Sequence, residues 1–204
     1  MLATRGADRT RPAYRLARTL TEGLAPAPVA GALLVLVAWH SAASALDALR
    51  WAVLAVLFAA VVPMAYILIG VRRRRLSDRH VGVRHERPLP LLIGVVSVVV
   101  GVGLLIQVGA PRELIALEAA MAVGLGSSLL VTLAWKISIH VAVVTGAIVI
   151  LLLVFGPGAL MLAPAVALVA WARIVLRDHT LGQTVAGAAL GGAVAASVFS
   201  FLRG

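Results

Sequence analysis

The chain has no cysteine, so disulfides, thiolate nucleophiles and cysteine-bearing metal sites are excluded. Lysine is almost as rare: Lys136 stands alone, and the other 17 of the 18 basic residues are arginine. Acidic residues number only 8, leaving a net charge of +10, and no carboxylate cluster offers a Mg²⁺ site. Neither a metal nor another cofactor is expected. Aromatic residues make up 5% of the chain, and no soluble domain is left to present the basic excess to nucleic acid. Ten-residue segments of alternating hydrophobicity are missing, which excludes a closed β-barrel. Above all, polar surface is missing. With 13% charged and 62% hydrophobic residues, these 204 residues cannot cover a water-soluble domain, so most of their solvent is bilayer.

What is present is a series of apolar runs near 28–46, 51–71, 89–109, 113–134, 139–156, 158–175 and 180–201. Each approaches the roughly 20 residues that a helix needs to cross hydrocarbon. The fold class expected is an all-α polytopic membrane bundle of six or seven transmembrane helices. "FGPGAL" is a tight turn that makes a hairpin of the fifth and sixth runs, and "VGAPREL" joins the third and fourth. Residues 1–27 read as a basic, mobile N-terminal tail, and 28–204 as one transmembrane domain. A cleaved signal peptide is disfavoured, because the basic segment is long for one.

Seven crossings put residues 1–27, 72–88, 135–140 and 172–179 on one face, together with 15 of the 18 basic residues. Arg50, Arg112 and Arg203 are left on the other. The positive-inside rule makes the crowded face cytoplasmic, in a bacterial-type plasma membrane. That face gathers "RRRRLSDRHVGVRHERPLP" (72–90), "WKISIH" (135–140) and "WARIVLRDHTLGQTVAG" (171–187). Arginine forks match phosphate oxygens, and helix N-termini add unpaired N–H groups. His140 and His179, both at helix starts, can divide phosphoryl transfer between a nucleophile and a proton donor.

At these residues the chain resembles the type 2 phosphatidic acid phosphatase superfamily. The family pattern runs Lys-x6-Arg-Pro, Pro-Ser-Gly-His, then Ser-Arg-x5-His-x3-Asp. Arg87 and Pro88 fit the first motif, with His80 at its lysine position. Ser138 and His140 fit the second, with Ile137 and Ile139 for its proline and glycine. Arg173 and His179 fit the third at the right spacing, with Ala172 for serine and Gln183 for aspartate. The resemblance covers about residues 72–201. It implies a metal-independent phosphatase acting on a phosphorylated lipid or isoprenyl substrate in the membrane. In that implied mechanism His179 becomes a phosphohistidine, His140 protonates the leaving alkoxide, and Arg87, Ser138 and Arg173 hold the phosphate. Arg79, His80, Arg84 and Lys136 are candidates to replace the missing lysine, and Gln183 to take the aspartate's place beside His179.

Other readings stand beside this one. A non-catalytic lipid-phosphate binder or flippase would keep the pocket without turnover, and Gln183 favours it. A small transporter lacks the expected internal repeat. An oligomeric scaffold would not require two histidines at helix starts, although a second copy of the chain is an admissible partner. Arg72–Arg75 reads as a topology and anionic-lipid anchor. His80 and His85 read as solvated loop residues, and His40 as interfacial. Glu118 is expected to snorkel or to pair with Arg112. Gly187 and Gly191 mark a close helix contact. Thr180 to Gln183 reads as a capping box that leaves His179 outside the helix; with Asp178 as N-cap instead, His179 and Gln183 would touch one turn apart.

Overall fold

The computed structural model describes residues 12–204, and every regular element within them is helical. The helices are α1 (Pro12–Gly23), α2 (Pro26–Ser41), α3 (Ala45–Val56), α4 (Val62–Arg72) and α5 (Pro88–Gln107), then α6 (Arg112–Ala134), α7 (Ile139–Phe155), α8 (Pro164–Val175), α9 (Leu181–Val194) and α10 (Ser200–Arg203). π-helical turns at Leu57–Val61 and Ala195–Phe199 link α3 to α4 and α9 to α10. Among the described residues, five stretches are long and apolar enough to cross a membrane: Ala45–Arg72, Arg84–Gln107, Arg112–Ala134, Pro157–Val175 and Leu181–Arg203. The pair α1 and α2, bent by 44° at its break, makes a sixth if counted as one. At 17 residues α7 is shorter than the usual span.

The outside of the bundle is apolar and part of its inside is charged. Leu130, Met161 and Phe201 are 69%, 86% and 84% exposed, whereas Arg87, Glu118 and Arg173 are buried. A water-soluble protein would reverse that arrangement, so it is compatible with an integral membrane protein. Leu34, Val37, Leu105, Leu114, Leu117, Ile150 and Phe199 form one core, and Val141, Val144, Ile148 and Val169 a smaller one between α7 and α8. Helix α5 packs along α6, and α7 along α9. The second contact depends on small residues: a Cβ on Gly191 would run into the backbone of Ala142, and one on Gly187 would lie 2.5 Å from the Ser138 carbonyl oxygen.

Two expectations are corrected here. Residues 12–23 of the expected mobile tail form α1, which packs along α8, while residues 1–11 lie outside the described residues. Ala17, Leu20, Thr21 and Leu24 make a narrow inward stripe at helical spacing, which the surrounding arginines disguise. Glu118 neither snorkels nor pairs with Arg112. It is fully buried, its two oxygens lack a hydrogen-bond partner among the described residues, and it occupies the space left by the missing side chain of Gly101.

Candidate active site

Three chain segments meet where α4, α6 and α8 end and α5, α7 and α9 begin. The first is the end of α8. Arg177 adopts a left-handed φ of 58°, which stops the helix and turns the chain back on itself. The Arg177 N–H donates to the Ile174 carbonyl at 2.9 Å, and those of Asp178 and His179 donate to the Arg173 carbonyl at 3.0 and 3.2 Å. The x5 spacing between Arg173 and His179 is therefore one helix terminus, which hangs the histidine from the arginine's own backbone. The Arg173 side chain is 1% exposed. Its Nη2 lies 3.1 Å from Asp178 Oδ2, and its Nε has no partner among the described residues. A buried guanidinium N–H without an acceptor is costly, and an anion would satisfy it.

Helix α9 then starts from Thr180 with a capping box. Of the two alternatives posed by the sequence the capping box holds and Asp178 is not the N-cap, yet the contact between His179 and Gln183 forms all the same. Gln183 Oε1 accepts the Thr180 backbone N–H at 3.2 Å and also lies 3.1 Å from His179 Nδ1. Because a backbone N–H can only donate, the atom facing it is the amide oxygen, and the proton on His179 must sit on Nδ1. Nε2 then keeps its lone pair. Gln183 thus fixes the tautomer, as a carboxylate would, without adding charge.

The second segment, residues 135–140, is tied to the first at several points. Lys136 Nζ donates to the Asp178 carbonyl at 2.7 Å, and the Ser138 N–H donates to the Gln183 carbonyl at 3.1 Å. Ser138 caps α7 by accepting the Val141 N–H, and His140 follows in the first turn, 4% exposed, with Nε2 unpartnered among the described residues. The third segment is the loop before α5. Asp78 accepts the backbone N–H groups of His80 at 2.7 Å and Gly82 at 3.0 Å, and Val81 takes a left-handed φ of 46°. Arg87 Nε donates to the Val81 carbonyl and its Nη1 to the Ile137 carbonyl, each at 2.9 Å. Arg87 therefore clamps the third segment to the second.

Several candidates change role as a result. His80 is not a solvated loop residue: its ring packs on that of His140 with centroids 5.2 Å apart. Arg84 donates to the Leu133 carbonyl at 3.0 Å and so caps the C-terminus of α6. Arg79 lies 2.9 Å from Glu22 and ties the loop to α1. Asp178 and Asp78 shape the site, yet neither stands out in the sequence as a candidate. Asp78 does carry a signal there, an Asx-turn pattern with Gly82 four residues on.

Burial, then the charges of Lys136, Arg173 and Arg87, push His179 down to about 3. Lys136 is lowered by burial and by Arg87, and His80 by burial, Arg173 and Arg79. The site is thus an excess of positive charge with neutral imidazoles inside it, and an incoming anion relieves both conditions. A pH effect on stability follows. The unfolded chain binds a proton at His179 below about 6.5, whereas the folded chain holds it neutral down to about 3. Stability therefore falls as pH drops through that window. The thermal midpoint followed from pH 7 to 4 is expected to fall less steeply in His179→Asn than in the unsubstituted protein.

A cavity of about 550 Å³ opens beside the site. Arg79, His80, Arg87 and His140 line its polar end, and it continues between the helices to Leu117 and Ile150. His179 lies outside its wall. Among the described residues, no group of three or more His, Asp or Glu side chains could hold a metal ion. No family model matches the chain, and no curated protein or solved structure matches it either.

Proposed function

We propose that this chain is a metal-independent membrane phosphatase that removes phosphate from a lipid or isoprenyl phosphate through a phosphohistidine on His179. The observation that carries this reading is the bond between His179 Nδ1 and Gln183 Oε1, which leaves Nε2 as a free nucleophile beside a buried, under-bonded Arg173. The sequence resemblance to the type 2 phosphatidic acid phosphatases supports the same assignment.

The reaction balances without a metal. Nε2 of His179 attacks phosphorus while the P–O bond to the lipid breaks, and its electron pair goes to the leaving oxygen. That oxygen takes a proton from His140. Water then gives a proton back to His140, its oxygen attacks phosphorus, and the P–N bond breaks to restore His179. Arg173, Lys136 and Arg87 offset the charge on the equatorial oxygens. In-line displacement needs nucleophile and leaving group on opposite sides of phosphorus. The cavity meets His140 but not His179, which suits a lipid chain attached to the leaving oxygen.

The neutral Gln183 also favours a second reading, a lipid-phosphate binder or flippase without turnover. One experiment separates the two and also tests the cytoplasmic orientation inferred from the arginine distribution. Sealed vesicles of either orientation are given a panel of lipid monophosphates and isoprenyl diphosphates, in chelator, and released phosphate is measured. Release is expected, and faster when the cytoplasmic face is outward. Binding without release from any substrate would favour the binder, and equal rates in both orientations would remove the sidedness.

A further inference from the structure

His80 is held in place more firmly than a surface loop requires. Asp78 accepts the N–H of His80 itself and of Gly82, Arg87 holds the Val81 carbonyl, and Arg79 is bridged to Glu22 of α1. These anchors on both sides of one residue fix its backbone, and its ring packs against that of His140 at the polar end of the cavity. His140 itself is 4% exposed and its Nε2 has no partner among the described residues. It therefore has little direct contact with water through which to exchange a proton, whereas His80 is only half-buried.

We propose that His80 is the relay through which His140 gains and loses its proton. This rests on the phosphatase reading above and adds to it a positioning residue that acts through His140. The step conserves charge and needs no co-reactant. As the attacking water's oxygen bonds to phosphorus, His80 takes the proton that this water releases on one ring nitrogen and passes the proton on its other nitrogen to His140, which has given its own to the leaving oxygen. The ring centroids are 5.2 Å apart with planes tilted by 56°, and His140 Nε2 has no partner among the described residues, so the transfer runs through one bridging water.

The rival role for His80 is that of a phosphate-holding cation, as the family's lysine position suggests. The surroundings argue against it. Asp78 and Arg79 of its own loop, Arg173 and Asp178 at the end of α8, Glu22 on α1 and His140 on α7 are the charged and titratable groups that face it. Two of these are arginines, and together with burial they hold the ring below its ordinary range, in its neutral form. A neutral imidazole adds little attraction for phosphate but can both accept and donate a proton.

Lysine and alanine at this position distinguish the two roles. In purified full-length protein, His80→Ala is expected to lower kcat roughly 100-fold, in the range for a lost proton-transfer group, with KM within about twofold. Added imidazole should restore part of that loss. His80→Lys should do no better than His80→Ala near neutral pH, and both should lose the limb of the kcat–pH profile that reports the His80–His140 pair. His80→Gln with an unchanged thermal midpoint controls for folding. Wild-type kcat in His80→Lys, a raised KM alone in His80→Ala, or full activity in His80→Ala would each overturn the relay while leaving the phosphatase intact. Phosphate release from none of the panel by the unsubstituted protein would instead remove the phosphatase reading and the relay with it.

Discussion

His179→Ala is expected to abolish phosphate release, with kcat reduced by at least about 10³-fold. In the proposed mechanism, removing the nucleophile deletes the covalent step itself. His179 is also the best-determined group in the site. Its backbone N–H is bound to the Arg173 carbonyl, its Nδ1 faces an amide oxygen already fixed by Thr180, and the residue is only 6% exposed. The Arg173 guanidinium, the Lys136–Asp178 tie and the Ser138–Gln183 bond do not pass through the imidazole, so the variant should keep its fold and its affinity for a lipid phosphate. Lost turnover with retained binding is the expected pair of results. Two measurements, phosphate release and binding of a radiolabelled lipid phosphate, check it. Release unchanged in His179→Ala would assign the nucleophile elsewhere, and release absent from the unsubstituted protein as well would leave a binding protein.

Much of this arrangement is legible in the amino-acid sequence. The apolar runs fix the helical class because only a helix satisfies its own backbone in hydrocarbon. The order Arg87, Ser138, His140, Arg173, His179 marks the ends of helices that meet on one side. What a linear pattern does not carry is where each donor goes. Arg87 and Arg84 both read as phosphate-side cations in the sequence, yet one clamps two loops from inside the bundle and the other caps α6. That difference depends on which carbonyls lie within reach, and local pattern holds no record of it. His80 is hidden for a related reason: its importance comes from the ring of His140, sixty positions away in the chain. Gln183 reads as either a cap or a partner of His179 only while their contact is taken to need both residues inside one helix; the second lone pair on its oxygen reaches His179 from outside. A carboxylate's negative charge is what the amide cannot supply, since it orients the ring but does not stabilise an imidazolium.

The second large effect is expected at a residue with no chemistry of its own. Gly191→Ala should destabilise the protein, by about 1–3 kcal/mol or more, and suppress phosphate release together. The new Cβ would run into the carbonyl group and Cα of Ala142, which are backbone atoms and cannot rotate away as a side chain could. Helices α7 and α9 would have to separate, and these two helices start from Ser138 and Thr180, the caps on either side of the site. Separation there would strain the bond from the Ser138 N–H to the Gln183 carbonyl, and with it the placement of His140 relative to His179. The same substitution at Gly103 of α5 gives the control, because nothing lies within 4 Å of its Cβ position. Alanine is the better helix former by about 1 kcal/mol, so Gly103→Ala should hold or raise the thermal midpoint. Two identical substitutions in helices of one bundle are thus expected to act with opposite sign. A Gly191→Ala protein as stable and as active as Gly103→Ala would mean that the close approach of α7 and α9 does not hold the two histidine-bearing segments together.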